Sequence, residues 1–190
     1  CIRDRGIPGI KVIENEGELL QVIPQLTDDE FIESEFHTEK ANEIFNLIKE
    51  GKSTIIYGKK GVGKTKFLQY VYRKARKLGF TIYVVSDKDS LLNYLINQYE
   101  KLQQMHETSK NDFSNVLLLI DDVGSNGKDI ALLCLLLHFE FRFIATTIWI
   151  KPEMMRTYKD KLIFIEFKES DYDNDFLIKL VKFFFVDAGI

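Results

Sequence analysis

Apolar residues in this chain recur in two rhythms. Short, nearly unbroken runs appear at Ser53–Tyr57, Phe80–Val85, Val116–Ile120, Phe141–Thr147 and Leu162–Phe167, the pattern of strands buried on both faces. Between them the spacing turns helical. Phe67, Leu68, Val71, Ala75 and Leu78 mark one helix over 66–78, and Leu91, Leu92, Leu95, Ile96 and Tyr99 mark another over 88–104. Residues 129–137 form an apolar third. Thr38 opens a helix carrying Ile44, Phe45 and Ile48 on one face, which Gly51 ends. A short helix follows Pro152, and a last one begins at Asp171 with Phe176, Leu177, Leu180, Val181 and Phe184 inward. Strands alternating with helices predict an α/β fold of three layers around a five-stranded, mainly parallel sheet.

The chain ahead of this alternation reads differently. Ile10–Ile13, a polar turn at Glu14–Gly17 and Leu19–Ile23 predict a β-hairpin, either packed on the core as an accessory ribbon or offered to a partner. Thr27–Glu30 reads as a helix cap or a solvated loop, and 105–114 as a polar loop. Residues 1–43 hold eleven acidic and four basic side chains, whereas 44–190 hold eighteen acidic and twenty-two basic. The overall net charge of −3 therefore hides an acidic leader, assigned to 1–37, and a mildly basic core, assigned to 38–190. Such a core permits polyanion binding without demonstrating it.

Composition excludes several classes. At 45% hydrophobic and 29% charged, the 190-residue chain is neither disordered nor membrane-spanning, and it is long enough for a full core. Cys1 and Cys134 make no disulfide or metal pattern, which suits a reducing cytoplasm. A chain opening on Cys rather than Met reads as trimmed, with Cys1 then the last visible ligand of an upstream cluster or simply a terminal residue.

The chemistry begins where the first core strand ends. Gly58-Lys59-Lys60-Gly61-Val62-Gly63-Lys64-Thr65 fits G-x-x-x-x-G-K-[ST] at every fixed position, between a strand and a helix. Glycines let the backbone N–H groups curl around a phosphate, and the following helix adds its positive end. The phosphate-binding set is Gly58 through Lys66. Lys64 is placed to reach the β- and γ-phosphates of ATP, and Thr65 to hold Mg²⁺. A second stretch, Val116-Leu117-Leu118-Leu119-Ile120-Asp121-Asp122, sets two carboxylates at the tip of a buried strand. Acids there are costly unless a cation or water uses them. Asp121 is the expected partner of Mg²⁺ and its water shell, and Asp122 the group that polarises an attacking water. The architecture expected is thus a P-loop NTPase. Ser86 and Asp87 end the second core strand, where open α/β sheets place ligands. Phe36 and His37 are open to two readings, adenine contact or a core aromatic and a surface histidine.

The order of phosphate loop, strand, acid pair and polar-tipped strand resembles the additional-strand P-loop ATPases, especially the AAA+ class. It is most similar to bacterial helicase loaders of the DnaC and IstB type. The likeness is carried by Tyr57–Thr65, Lys77–Val85 and Leu118–Gly124, where Asp-Asp replaces the more usual Asp-Glu, and it spans about residues 38–167. The resemblance implies that Thr147 (or Thr146) senses the γ-phosphate, although Asn is usual there. It also implies that Arg156 is an arginine finger reaching a neighbouring subunit's nucleotide; read alone, Arg156 is a solvated helix arginine. AAA+ proteins follow the last strand with a helical lid bearing a second sensing arginine. Here 23 residues follow Phe167 and none is arginine, so a lid reduced or absent is expected.

The expected function is Mg²⁺-dependent ATP hydrolysis driving a step on DNA or a DNA-bound protein, in a homo-oligomer within the cytoplasm, without a membrane partner. A viral or mobile-element origin and a genome-packaging motor are the alternative, as is a slow nucleotide-gated module that recruits a partner. A small-molecule kinase fits least, because such enzymes clamp the transferred phosphate with arginines, and only Arg142 and Arg156 lie beyond Asp122. No helix-turn-helix, zinc finger or aromatic RNA platform is present. Arg73-Lys74-Ala75-Arg76-Lys77 reads as a solvated helix face or a phosphate-backbone contact.

Overall fold

The computed structural model describes residues 6–23, 35–105, 115–149 and 156–168. Cys1, the Thr27–Glu30 segment, the start of the helix after Pro152 and the helix from Asp171 lie outside the described residues. In chain order the elements are β1 (Ile10–Val12), α1 (Glu16–Val22), α2 (Glu35–Lys49), β2 (Ser53–Tyr57), α3 (Lys64–Lys77), β3 (Thr81–Val85), α4 (Lys88–Met105), β4 (Val116–Ile120), α5 (Gly127–His138), β5 (Phe143–Thr147) and β6 (Leu162–Glu166).

One sheet runs in the order β1-β3-β4-β5-β2-β6. The five expected core strands are parallel, in register from Thr81↔Val116 through Leu119↔Ile144 and Thr54↔Ile144 to Ile55↔Phe164. β1 adds a sixth, antiparallel strand at the edge, with Ile10 opposite Val85.

Each core strand is largely apolar because each feeds two cores. Ile56, Leu117, Leu119, Ile144 and Ile165 meet α1, α2 and α3 through Leu19, Ile44, Ile48, Phe67, Leu68 and Val71. Alternate residues Ile55, Leu118, Ile120, Phe143 and Ala145 meet α4 and α5 through Leu91, Leu95, Leu132, Leu133 and Leu136. The period-two side-chain alternation of a strand thus produces the three layers. Truncating a fully buried residue such as Leu119 to Ala costs about 2–5 kcal/mol.

The N-terminal region corrects the hairpin expectation. Only Ile10–Val12 is strand, and Glu16–Val22 is helix. Asn15 caps it by accepting from the Glu18 N–H at 3.0 Å, while the Glu18 carboxylate accepts from the Glu14 N–H at 2.9 Å. This reciprocal capping outweighs the β-like run Leu19–Ile23, and it buries Leu19 completely. Glu16 then anchors the helix on α3, accepting from Gln69 Nε2 at 2.6 Å and pairing with an Arg73 guanidinium nitrogen at 2.7 Å. Burial opposes ionisation of Glu16, but hydrogen bonds from Arg73 and Gln69 outweigh it and hold its pKa below the ordinary value. Residues 10–23, part of the expected acidic leader, thus pack on the core, β1 against β3 and α1 against α3, as the accessory reading of this region expects. α2 starts at Glu35, ahead of the expected Thr38. His37 is buried, with its ring stacked 5.9 Å from Phe67, and Phe36 meets Phe167 edge-on at 5.0 Å. The surface reading of His37 is therefore corrected, and Phe36 is partly buried against the core.

Candidate active site

β5 lies between β2 and β4, so the loops leaving the C-terminal ends of those two strands face each other across its tip. The phosphate loop leaves β2 and the acid pair leaves β4. Thr146 and Thr147, the last residues of β5, fill the space between. This is the crevice at which open parallel sheets bind ligands.

The loop's geometry is set by Gly63, whose φ of 88° lies in the left-handed region that glycine adopts without strain. Gly63 is also the N-cap of α3, and it brings no side chain to compete for the helix's first N–H groups. The first turn of α3 holds no acid, whereas Lys74, Arg76 and Lys77 occupy its last turn. Both features leave the positive end of the helix available to an anion. Lys64 begins α3 and turns its ammonium into the loop, donating to the carbonyl oxygens of Gly58 and Lys59. Burial lowers its pKa from the ordinary lysine value, while the carboxylates of Asp121 and Asp122 act in the opposite direction.

Asp121 Oδ1 is the meeting point of two hydroxyls, accepting from Thr65 Oγ1 at 3.0 Å and Thr146 Oγ1 at 2.8 Å. Thr146 Oγ1 in turn accepts from the Asp122 N–H at 2.8 Å, and the Val123 N–H donates to the Thr146 carbonyl at 2.7 Å. Asp122 itself is exposed and adopts a left-handed φ of 59°. These groups open on a pocket of about 390 Å³, lined by Lys60, Gly61, Gly63, Lys64, Thr65, Lys66, Asp121, Asp122, Thr146, Thr147 and Ile148.

The donor set fits a triphosphate: an ammonium and a helix N-terminus free of acids. It also fits Mg²⁺, because the Thr65 hydroxyl and the Asp121 carboxylate place two hard oxygens at one spot. Among the described residues no cluster of three or more His, Cys, Asp or Glu forms a metal cage. Mg²⁺ bound chiefly through phosphates and water needs none.

Not every expected residue lines the pocket. Val62 is buried in the core, and Gly58 and Lys59 contribute carbonyls to Lys64 rather than pocket surface. Of the two threonines, Thr146 touches the acids; the Thr147 hydroxyl donates instead to the Trp149 carbonyl at 3.3 Å. Asp87 caps α4, accepting from the Ser90 hydroxyl at 2.7 Å. Arg156 is exposed in a single 3₁₀ turn at 156–158 and is not among the pocket-lining residues. The basic cluster of α3 is largely engaged within the chain: Arg73 with Glu16, Arg76 with the Tyr72 hydroxyl at 3.1 Å, and Lys74 over the Tyr70 ring.

Residues 54–131 match the model of the ATPase family associated with various cellular activities (AAA). The matched segment, 78 of the 190 residues, is similar to an AAA ATPase core. It contains the phosphate loop, both acids and all of β2 but its first residue. The fold is similar to that of a solved DNA replication initiation factor, at 20% identity and a TM-score of 0.52, covering 88% of this chain and 56% of that one. Similar too are AMPPCP-bound DnaA from Aquifex aeolicus (21% identity, TM-score 0.48, 83% of this chain and 53% of that one) and the DnaC helicase loader (14%, 0.44, 78% and 99%). At 20% identity the likeness to the initiation factor speaks to the fold alone. The chain spans about half the length of the initiation factor and of DnaA. No curated protein matches it. Among the described residues, no helix is long and apolar enough to cross a membrane.

Sequence reasoning missed a second layer behind the acids. Asp129, buried at 7% exposure, accepts from the Gly124 N–H at 2.7 Å, from Asn126 Nδ2 at 3.3 Å and from Lys88 Nζ at 3.2 Å. The Asn126-x-x-Asp129 spacing, an N-cap with an acid at the third helical position, was the available signal. Nothing in the sequence marks Lys88, which reaches across from α4.

Proposed function

We propose that this chain binds Mg·ATP in the pocket between β2, β4 and β5 and hydrolyses it. The observation that carries the proposal is the convergence of Thr65 and Thr146 on one oxygen of Asp121, beside the Lys64 ammonium. In this reading the phosphate-loop N–H groups and Lys64 hold the β- and γ-phosphates, Lys64 exchanging its two loop carbonyls for phosphate oxygens. Thr65 and Asp121 would hold Mg²⁺, which supplies charge neutralisation at the phosphates when bound. Asp122, exposed at the pocket's mouth, orients and polarises the attacking water. Thr146 couples the two acids, and Thr147 lies within reach of the γ-phosphate end.

Among the described residues no arginine lines the pocket, which supports a reaction completed by a neighbouring copy rather than a small-molecule kinase. Exposed Arg156 is the residue we assign to that role, within a homo-oligomer. The work done is assigned to DNA or a DNA-bound protein, by likeness to a replication initiation factor in fold. The test is ATP turnover with and without single- and double-stranded DNA, for the parent, Asp121→Asn and Asp122→Asn. Asp122→Asn should bind Mg·ATP and fail to hydrolyse it, and Asp121→Asn should weaken the metal. Parental turnover in both variants would refute the assignment, and indifference to DNA would refute the nucleic-acid step alone.

A further inference from the structure

Asp122 lies beyond the last paired residue of β4, and β5 reaches its peptide through one main-chain bond, Val123 N–H to the Thr146 carbonyl at 2.7 Å. Side chains supply the remaining anchors. Its N–H donates to Thr146 Oγ1 at 2.8 Å, and its carbonyl accepts from Lys88 Nζ at 3.0 Å. The same ammonium pairs with Asp129 Oδ2 at 3.2 Å, and that oxygen also accepts from the Gly124 N–H. A Cβ on Gly124 would stand 3.2 Å from the Asp129 oxygen and 2.9 Å from Asn126 Nδ2, so glycine is what permits this approach. Between these anchors Asp122 holds a left-handed φ of 59°, a conformation an aspartate tolerates but does not prefer. The chain therefore spends a nearly buried carboxylate and a lysine on one exposed acid's backbone. Backbone strain of this kind persists where surrounding groups over-determine it.

We infer that Lys88 and Asp129 are positioning residues for hydrolysis: their ion pair clamps the Asp122 peptide and so aims its carboxylate at the water. The inference rests on the reading of Asp122 as the water-polarising group. Neither residue is among those lining the pocket, so the pair acts through Asp122. Because the clamp grips main chain, it governs orientation without touching nucleotide, and its loss should appear in kcat rather than in binding.

The experiment is a double-mutant cycle between K88M and D122N, read by single-turnover ATP hydrolysis, by calorimetric affinity for a non-hydrolysable ATP analogue and by thermal melting. K88M should slow hydrolysis about ten- to hundredfold, the scale of a misplacement near 1 Å, and leave affinity within about twofold. K88R, which keeps a cation for both oxygens, should recover most of the rate. In the D122N background K88M should add nothing, because the group it positions is already gone. K88M hydrolysing like the parent while D122N is inactive would overturn the clamp alone. So would a K88M defect that multiplies that of D122N, or one that falls equally on affinity. Parental hydrolysis by D122N would instead remove the reading on which the clamp rests. D129N repeats the cycle from the buried side; if it does not fold, the Lys88 variants still decide, since that side chain is 36% exposed and its loss leaves no cavity in the core.

Discussion

Thr146→Val is the substitution that most directly tests the hydrogen-bonded geometry of the site. Valine is nearly isosteric with threonine, and the position is 2% exposed, so packing is preserved. What disappears is one oxygen that donates to Asp121 and accepts from the Asp122 N–H, both at 2.8 Å. Asp121 keeps the Thr65 hydroxyl and some access to water, but the Asp122 N–H is left facing a methyl group. A fully buried unsatisfied donor costs about 1–3 kcal/mol, and this part-buried one costs at most that, which for a chain of this size lowers Tm by no more than about 12 °C. Thr146→Ser keeps the oxygen and loses only a methyl, about 0.8 kcal/mol. Thr147→Val is the internal comparison. Its hydroxyl makes a longer bond, to the carbonyl of a residue whose exposure gives water access, so its loss should cost well under the Thr146 figure. Melting should place the parent highest, Thr146→Ser and Thr147→Val together below it, and Thr146→Val lowest. Mg·ATP turnover should follow the hydroxyl: Thr146→Val falls about tenfold or more, whereas Thr146→Ser stays near the parent. If serine proves as damaging as valine, or if the two valine variants behave alike, the oxygen is not the coupling element.

Three further outcomes are expected. Lys64→Ala removes the ammonium directed into the loop and should weaken ATP binding about ten- to hundredfold by calorimetry; unchanged affinity would remove the phosphate-loop assignment. Glu16 has its pKa held below the ordinary value, so its pairing with Arg73 and Gln69 stabilises the fold above that ordinary value and is lost as pH falls through the lowered one. Glu16→Gln should therefore melt lower than the parent near neutrality, by no more than about 1 kcal/mol given the exposure of the pair, with the gap closing in acid; parallel melting curves from neutral pH into acid would refute the pairing. Arg156→Ala should abolish any rise of specific activity with protein concentration while sparing ATP binding. A per-subunit rate that is flat across the monomer–oligomer range in the parent would remove the arginine's role in a neighbouring site.

The layers and the two acid-and-phosphate stretches are readable because each is a local pattern. A strand buried on both faces must be apolar at consecutive positions, and a loop around phosphate must carry glycines at fixed intervals; neither requirement depends on distant residues. The N-terminal region misleads for the converse reason. Leu19-Leu20-Gln21-Val22-Ile23 has strand-like composition, and that run masks the capping by Asn15 and Glu18 that makes the segment helical. A seven-residue helix is also below the length at which periodicity speaks, and packing of Leu19 and the Glu16–Arg73 bond decide it. His37 misleads similarly: a lone histidine reads as surface until Phe67 and Tyr70 are found around it.

The threonines show where a local reading must stop. Thr146 and Thr147 are adjacent, chemically identical and both almost fully buried, so no sequence argument can rank them. The pleat ranks them. Successive strand residues point to opposite faces of the sheet, and it is the Thr146 hydroxyl that bridges Asp121 and the Asp122 N–H. The same holds for the acids: Asp121 and Asp122 announce themselves at a strand tip, yet Asp129 is the more buried carboxylate and holds the loop on which Asp122 sits. A buried carboxylate must be matched by donors, and here the donors are two loop groups and a lysine from another helix. Two of its three donors belong to the segment after β4, and the third, Lys88, also holds the Asp122 carbonyl, so the bonds that satisfy Asp129 inside the protein are also ones that hold the backbone of Asp122 in place.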